Sequence, residues 1–159
     1  MNENLKTTLK AWPVITLSTL ALCLLTQKFA LLIGIELPDQ ANLSIVLNAA
    51  GWNWKFAVLV AQIVIILPVI EELMFRLPLK AVQKSSTATA ATLATALSAA
   101  FSAAHYIFQP FPDSAFIALF SFGMAQCWLY RKTRNIFCPA LNHALFNLTN
   151  LILLFTIGV

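Results

Sequence analysis

The chain has 159 residues, 60% of them hydrophobic and only 10% charged. Soluble domains carry about 25% charged residues, so this composition excludes an ordinary soluble domain and requires a bilayer as solvent. The net charge of +4 is no nucleic-acid signature, because the basic residues gather at the ends of apolar runs (Arg76, Lys80 and Lys84; Arg131, Lys132 and Arg134), where they orient a membrane protein.

Five apolar segments follow one another, and each is near the ~20 residues that cross a hydrocarbon core. The first, 11–35, is interrupted by Gln27 and Lys28. It looks like a signal peptide, but no small-x-small cleavage site follows it, so it reads as an uncleaved first span. Residues 36–51 read as a loop with a short helix lying in the membrane interface. The second segment starts near Trp52 and runs to about Lys84. The third, 89–108, is rich in Ala, Thr and Ser; the fourth is 114–130 and the fifth 136–158. Trp12, Trp52, Trp54, Trp128 and Tyr130 stand near segment ends, as interfacial aromatics do. Cys23, Cys127 and Cys138 lie in apolar stretches without a CxxC and read as small buried residues. The predicted fold is an all-α polytopic membrane bundle of about five transmembrane helices, one integral membrane domain over 1–159.

The connections alternate in charge. Lys6 and Lys10 precede the first span, Glu36 and Asp39 follow it, 76–88 is basic, 109–113 carries only Asp113, and 131–135 is basic again. The positive-inside bias places the N-terminus in the cytoplasm.

One stretch breaks the apolar pattern: IILPVIEELMFRLP, residues 65–78. A carboxylate at mid-membrane costs at least ~2.5 kcal/mol, and such residues face a protein interior or a watery cavity. Glu72 and Arg76 are four apart, so they share a helix face and can pair as a structural ion pair. Glu71 lies about 100° away round the helix and has no such partner within it, which suits a general base or a metal ligand. Pro68 and Pro78 bracket the motif, and each removes a helix hydrogen bond. The carbonyls they free need a partner or water.

The two histidines both lie in apolar segments, His105 in FSAAHYIF and His143 in LNHALFN. A lone buried histidine is more often a satisfied core residue. Here Glu71 and His105 sit symmetrically about Ala88 in the polar turn KSSTAT, so a hairpin brings both to one depth. Ser98, Ser102 and His105 keep helical spacing, as do His143, Asn147 and Asn150, and a polar stripe in lipid turns inward. One carboxylate, two imidazoles and an amide can therefore converge. Two chemistries use that set. Glu71, His105 and His143 can hold a zinc ion with an open water position. Alternatively, Glu71 with His105 activates water directly while His143 and Asn147 hold the oxyanion. Both hydrolyse an amide or ester. The zinc-protease motif HExxH and the nucleophile elbow GxSxG are absent.

EELMFR (71–76), FSAAH (101–105) and HALFN (143–147) resemble the three motifs EExxxR, FxxxH and HxxxN of the CAAX prenyl protease type II family, also called the CPBP or Abi intramembrane proteases. The resemblance covers about 55–158, with the three motifs in order on three segments. It implies an all-helical intramembrane endopeptidase of a bacterial inner membrane. Glu71 would activate water with His105, His143 and Asn147 would hold the oxyanion, Arg76 would order the site or contact substrate, and Glu72 would support it. The family carries a metalloprotease label, and a glutamate mechanism without tightly bound metal is favoured for its eukaryotic members. The implied substrate is a membrane-associated peptide or protein, prenylated or bearing a leader or C-terminal sorting tail. The chain departs from the family in its small number of spans, which oligomerisation could offset, and in Leu77, where glycine is common. Two other classes compete. A non-catalytic binding protein, such as a bacteriocin-immunity factor, would tolerate changes in the motifs. A proton-coupled transporter would show an internal repeat, and none is visible.

Overall fold

The computed structural model describes residues 2–37, 53–107 and 113–157. The expected interfacial helix of 36–51 and most of the 109–113 loop lie outside them. Among the described residues five long helices follow in order: α1 (Glu3–Leu32), α2 (Trp54–Val82), α3 (Thr87–Ala104), α4 (Ala115–Thr133) and α5 (Phe137–Ile157). Their starts follow capping chemistry, in which a short polar side chain accepts one of the backbone N–H groups that the first turn leaves unpaired. Asn53 Oδ1 accepts from Phe56 N–H at 3.1 Å, Ser86 Oγ from Thr89 N–H at 3.2 Å and Asn135 Oδ1 from Phe137 N–H at 3.0 Å. Asp113 Oδ1 accepts from Ala115 N–H at 2.8 Å and from the Tyr106 hydroxyl.

Four of the five, α1, α2, α3 and α5, are long and apolar enough to cross a membrane. The fourth predicted segment is also a helix but falls short on composition, since α4 contains Gln126 and ends on Arg131 and Lys132. Its place explains this. α4 packs against α1, α2, α3 and α5, and Phe122, Gln126, Cys127 and Leu129 are all buried. It faces protein more than lipid, and a helix enclosed by its neighbours can carry polar groups that find partners inside.

α3 and α4 approach closely because both are small where they meet. A Cβ built on Gly123 would stand 3.0 Å from Ser98 Cβ and 3.1 Å from its Cα. Ser98 and Ser102 are fully buried, so the polar stripe of α3 does turn inward. At the α4–α5 corner, Arg134 takes a left-handed conformation, φ 51°, and its N–H bonds the Tyr130 carbonyl at 2.7 Å. Below the site, Leu79, Ala94, Cys127 and Tyr130 form one apolar cluster. Ile15, Phe101, Phe122 and Phe146 form the other, around the site itself.

α2 is not one regular helix. Trp54–Ala61 is α-helical, Gln62–Ile66 forms a π-helical turn, Leu67–Arg76 is α-helical again, and Leu77–Val82 is a 3₁₀ helix. The cause is Pro68. In the wider turn the Leu67 N–H reaches back five residues to the Gln62 carbonyl. The Ile63 carbonyl thereby loses its α-helical donor, and its donor in the π register would be Pro68, which has no N–H. Ile63 is left with an unpaired acceptor on the inner side of α2.

Candidate active site

That acceptor is met from α5. Asn147 Nδ2 donates to the Ile63 carbonyl at 2.9 Å. The freed carbonyl expected beside the proline thus has a protein partner, and the bond fixes the orientation of the Asn147 amide.

Four residues further along the irregular α2, Leu67–Arg76 presents both carboxylates. Glu72 and Arg76 have no exposed side-chain surface, and Arg76 Nε lies 2.9 Å from Glu72 Oε2. This is an ion pair whose angle falls short of a hydrogen bond. Both Nη nitrogens of Arg76 are buried without a hydrogen-bond partner among the described residues. The guanidinium instead lies 5.0 Å from the centre of the Phe101 ring, a cation–π contact in a desolvated place. The other Glu72 oxygen, Oε1, accepts from His143 Nδ1 at 2.9 Å. A carboxylate can only accept, so Nδ1 carries a proton and Nε2 is turned the other way. There it meets Glu71, whose Oε2 lies 3.7 Å off. That is beyond hydrogen-bond length, and Glu71 Oε2 is buried without a partner among the described residues. The Glu71 side chain is 26% exposed. The two adjacent glutamates are thus unlike: Glu72 is locked between a guanidinium and an imidazole, and Glu71 is held beside the same imidazole with an oxygen to spare.

His105 stands at the C-terminal end of α3. Its Nδ1 donates to the Phe101 carbonyl at 2.9 Å, which leaves Nε2 as the nitrogen able to act on a ligand. The Phe101 ring packs against both imidazoles, 4.7 Å from His105 and 5.8 Å from His143, and Phe122 lies 5.0 Å from His143. Glu71, His105, His143, Asn147 and Asn150 line one cavity of about 400 Å³, whose remaining wall is Leu, Ile and Phe from α2, α4 and α5. Glu72 and Arg76 lie behind it. All seven motif residues, Phe101 among them, therefore meet in one place. Among the described residues no hydrogen bond or ion pair joins Glu71 to His105; the imidazole beside Glu71 is His143.

The zinc alternative needs Glu71, His105 and His143 to converge on one point. Among the described residues no three His, Cys, Asp or Glu side chains are gathered so as to hold a metal ion. Glu71, His105 and His143 line one cavity without being drawn together into a ligand set. No step below is routed through a metal.

Two features escaped the sequence reading. One is the Glu72–His143 bond, which spans 71 residues. The other is a buried amide pair, Gln126 Nε2 donating to Asn142 Oδ1 at 2.8 Å, which ties α4 to the residue before His143. Both amides carry no exposed surface. A usable signal existed, since Gln126 is a lone amide in the apolar run FGMAQCWLY, and a polar side chain within a span turns to protein.

Comparison with known proteins gives one match. The family model described as "Type II CAAX prenyl endopeptidase Rce1-like" matches residues 52–149, well over half of the chain. No curated protein matches, and no solved structure matches. The matched region contains all three motifs and the greater part of the cavity, and with four helices apolar enough to span a bilayer the molecule is an integral membrane protein. The chain belongs to the type II CAAX prenyl endopeptidase Rce1-like family.

Proposed function

We propose that the protein is an intramembrane endopeptidase that hydrolyses a peptide bond with water activated by Glu71. The observation that carries this reading is the contrast between the two glutamates. Glu72 is occupied on both oxygens, by Arg76 and by His143, whereas Glu71 has, on the cavity wall, a buried oxygen without a partner among the described residues. A water hydrogen-bonded to Glu71 gives its proton to that carboxylate as its oxygen attacks the scissile carbonyl. The carbonyl oxygen becomes the oxyanion. His143 already commits its Nδ1 proton to Glu72, so it donates to the oxyanion through Nε2 only as the doubly protonated imidazolium; Glu72 already matches Arg76, so that charge is balanced by Glu71 before the attack and by the oxyanion after it. The Asn147 amide, fixed by Ile63, supplies the second donor with its remaining N–H. Glu71 then returns the proton to the leaving amine, the C–N bond breaks, and the two products are a carboxylate and an amine. His105 Nε2 completes the polar end of the cavity and assists the water.

The substrate in this reading is a membrane-associated peptide or protein, prenylated or carrying a leader or sorting tail, and the N-terminus of the enzyme lies in the cytoplasm of a bacterial inner membrane. The test is cleavage in detergent by purified wild type and Glu71→Gln, on a library of prenylated and unprenylated peptides, each with and without a strong chelator. Cleavage by the wild type, insensitive to the chelator and lost in Glu71→Gln, is expected. Loss with the chelator would replace the direct mechanism by a metal-assisted one. A wild type that binds peptides but cleaves none would favour the immunity-type binding protein.

A further inference from the structure

The cavity wall is apolar except for five side chains, and hydrolysis uses four of them: Glu71, His105, His143 and Asn147. Asn150 is the fifth. It sits on the face of α5 that carries His143 and Asn147, between the reacting end of the cavity and its apolar end at Leu59, Leu151 and Leu154. Its Nδ2 donates to the Phe146 carbonyl on its own helix at 3.0 Å, so its Oδ1 is the group left to act as an acceptor. Among the described residues this amide on the wall of an apolar membrane cavity is bonded to its own helix alone and holds no other helix in place.

A substrate supplies what that oxygen lacks. To be cleaved, a membrane-embedded peptide must be unwound at the scissile bond, which leaves backbone N–H groups without the helix carbonyls that satisfied them. An unpaired N–H in a water-poor cavity is strongly disfavoured, so an acceptor near the reacting carbonyl favours binding of the unwound form. Asn150 is three residues past Asn147, or ~4.5 Å along the helix axis. An extended peptide advances ~3.4 Å per residue, so an acceptor at Asn150 reaches an amide within two residues of the carbonyl held at Asn147. Resting on the hydrolase reading, we infer that Asn150 is a substrate-binding residue whose Oδ1 accepts a hydrogen bond from one backbone N–H of the unwound substrate, within two residues of the scissile bond. The wall beyond it then takes an apolar side chain.

Backbone N-methylation tests this, because it deletes one N–H at a time. The probe is the tightest binder from a library of fluorescein-labelled apolar nonapeptides, measured by anisotropy on Glu71→Gln protein in detergent, which holds peptides without turnover. Each of its amides is methylated in turn. One position is expected to weaken binding roughly five- to tenfold, the size of one neutral hydrogen bond. The same methyl group should cost nothing further in Glu71→Gln/Asn150→Leu, which already binds the parent peptide that much more weakly. Asn150→Asp, which keeps an acceptor oxygen, should restore the sensitivity. Thermal midpoints of all variants, expected to agree, separate binding from folding. Equal methylation profiles with and without Asn150, or parent binding unchanged in Asn150→Leu, would overturn the assignment, as would failure of every peptide to bind. Wild-type cleavage of the same peptides is scored separately. Position-specific coupling without cleavage would remove the hydrolysis reading and leave Asn150 as a peptide-binding residue.

Discussion

Arg76 offers a measurement in which the arithmetic runs against intuition. It and Glu72 are fully buried at 2.9 Å. Replacing Arg76 by Met keeps most of the side chain's length but leaves Glu72 as a buried carboxylate whose only partner is His143. Removal of one member of a buried pair costs roughly 3–5 kcal/mol. The His143 bond to Oε1 offsets part of that, so Arg76→Met should lose about 3 kcal/mol. Glu72→Leu strands the guanidinium, whose Nη groups have no hydrogen-bond partner among the described residues, and should lose as much or more. The double variant is the informative one. With both charges gone nothing buried is uncompensated, and apolar replacement of a buried pair is often neutral. What remains is the orphaned Nδ1–H of His143, about 1–3 kcal/mol. The double variant should therefore be no less stable than either single one. The assay is reversible unfolding of the four proteins in mixed micelles, followed by tryptophan fluorescence. A double variant that loses the sum of the two single losses would refute the reasoning, because the two side chains would then be acting independently.

Two further outcomes follow from backbone geometry. Gly123→Ala puts a methyl carbon about 3.0 Å from Ser98 on the facing helix, so α3 and α4 must part. The expected loss is roughly 1–3 kcal/mol, read as a lower unfolding midpoint, and an unchanged midpoint would mean that the helices are less closely docked than described. Arg134→Gly relieves a left-handed residue that bears a side chain. It should stabilise the fold by about 1 kcal/mol, since only glycine takes that conformation without steric cost, and cleavage should not change.

The sequence carried much of this site because lipid makes polar residues conspicuous. In a chain so poor in charge, Glu71, Glu72, Arg76, His105 and His143 had few places to go but inward, and helical spacing alone grouped Ser98 with Ser102 and His143 with Asn147. The five segments emerged as helices within a few residues, although α1 begins at Glu3, well before the apolar run, because its first turns pack on protein and Asn4 Nδ2 reaches the Thr133 carbonyl at 3.3 Å. Partnership was harder to read than location. Periodicity relates residues on one helix, so it gave Glu72–Arg76. It could not give Glu72–His143 or Gln126–Asn142, which depend on the rotation of one helix against another. Depth brings Glu71 and His105 to one level, but it does not separate two imidazoles at similar levels; the rotation of α5, which puts His143 Nε2 3.7 Å from Glu71, does. The metal alternative meets the same limit, as ligand types can be listed from a sequence but their convergence cannot.

The bond between Asn147 and the Ile63 carbonyl joins residues 84 apart, and this has a bearing on how the molecule is made. The second span leaves the ribosome with an acceptor that its own helix cannot satisfy, and hydrocarbon offers no substitute. Its partner is on α5, three helices further along the chain. At translation rates of 5–20 residues per second the wait is on the order of ten seconds. Until α5 arrives the carbonyl lacks its native partner, and burying it bare in hydrocarbon would be costly. A chain truncated before α5 is then not a smaller bundle: its second helix keeps a polar gap that no remaining helix has been built to fill.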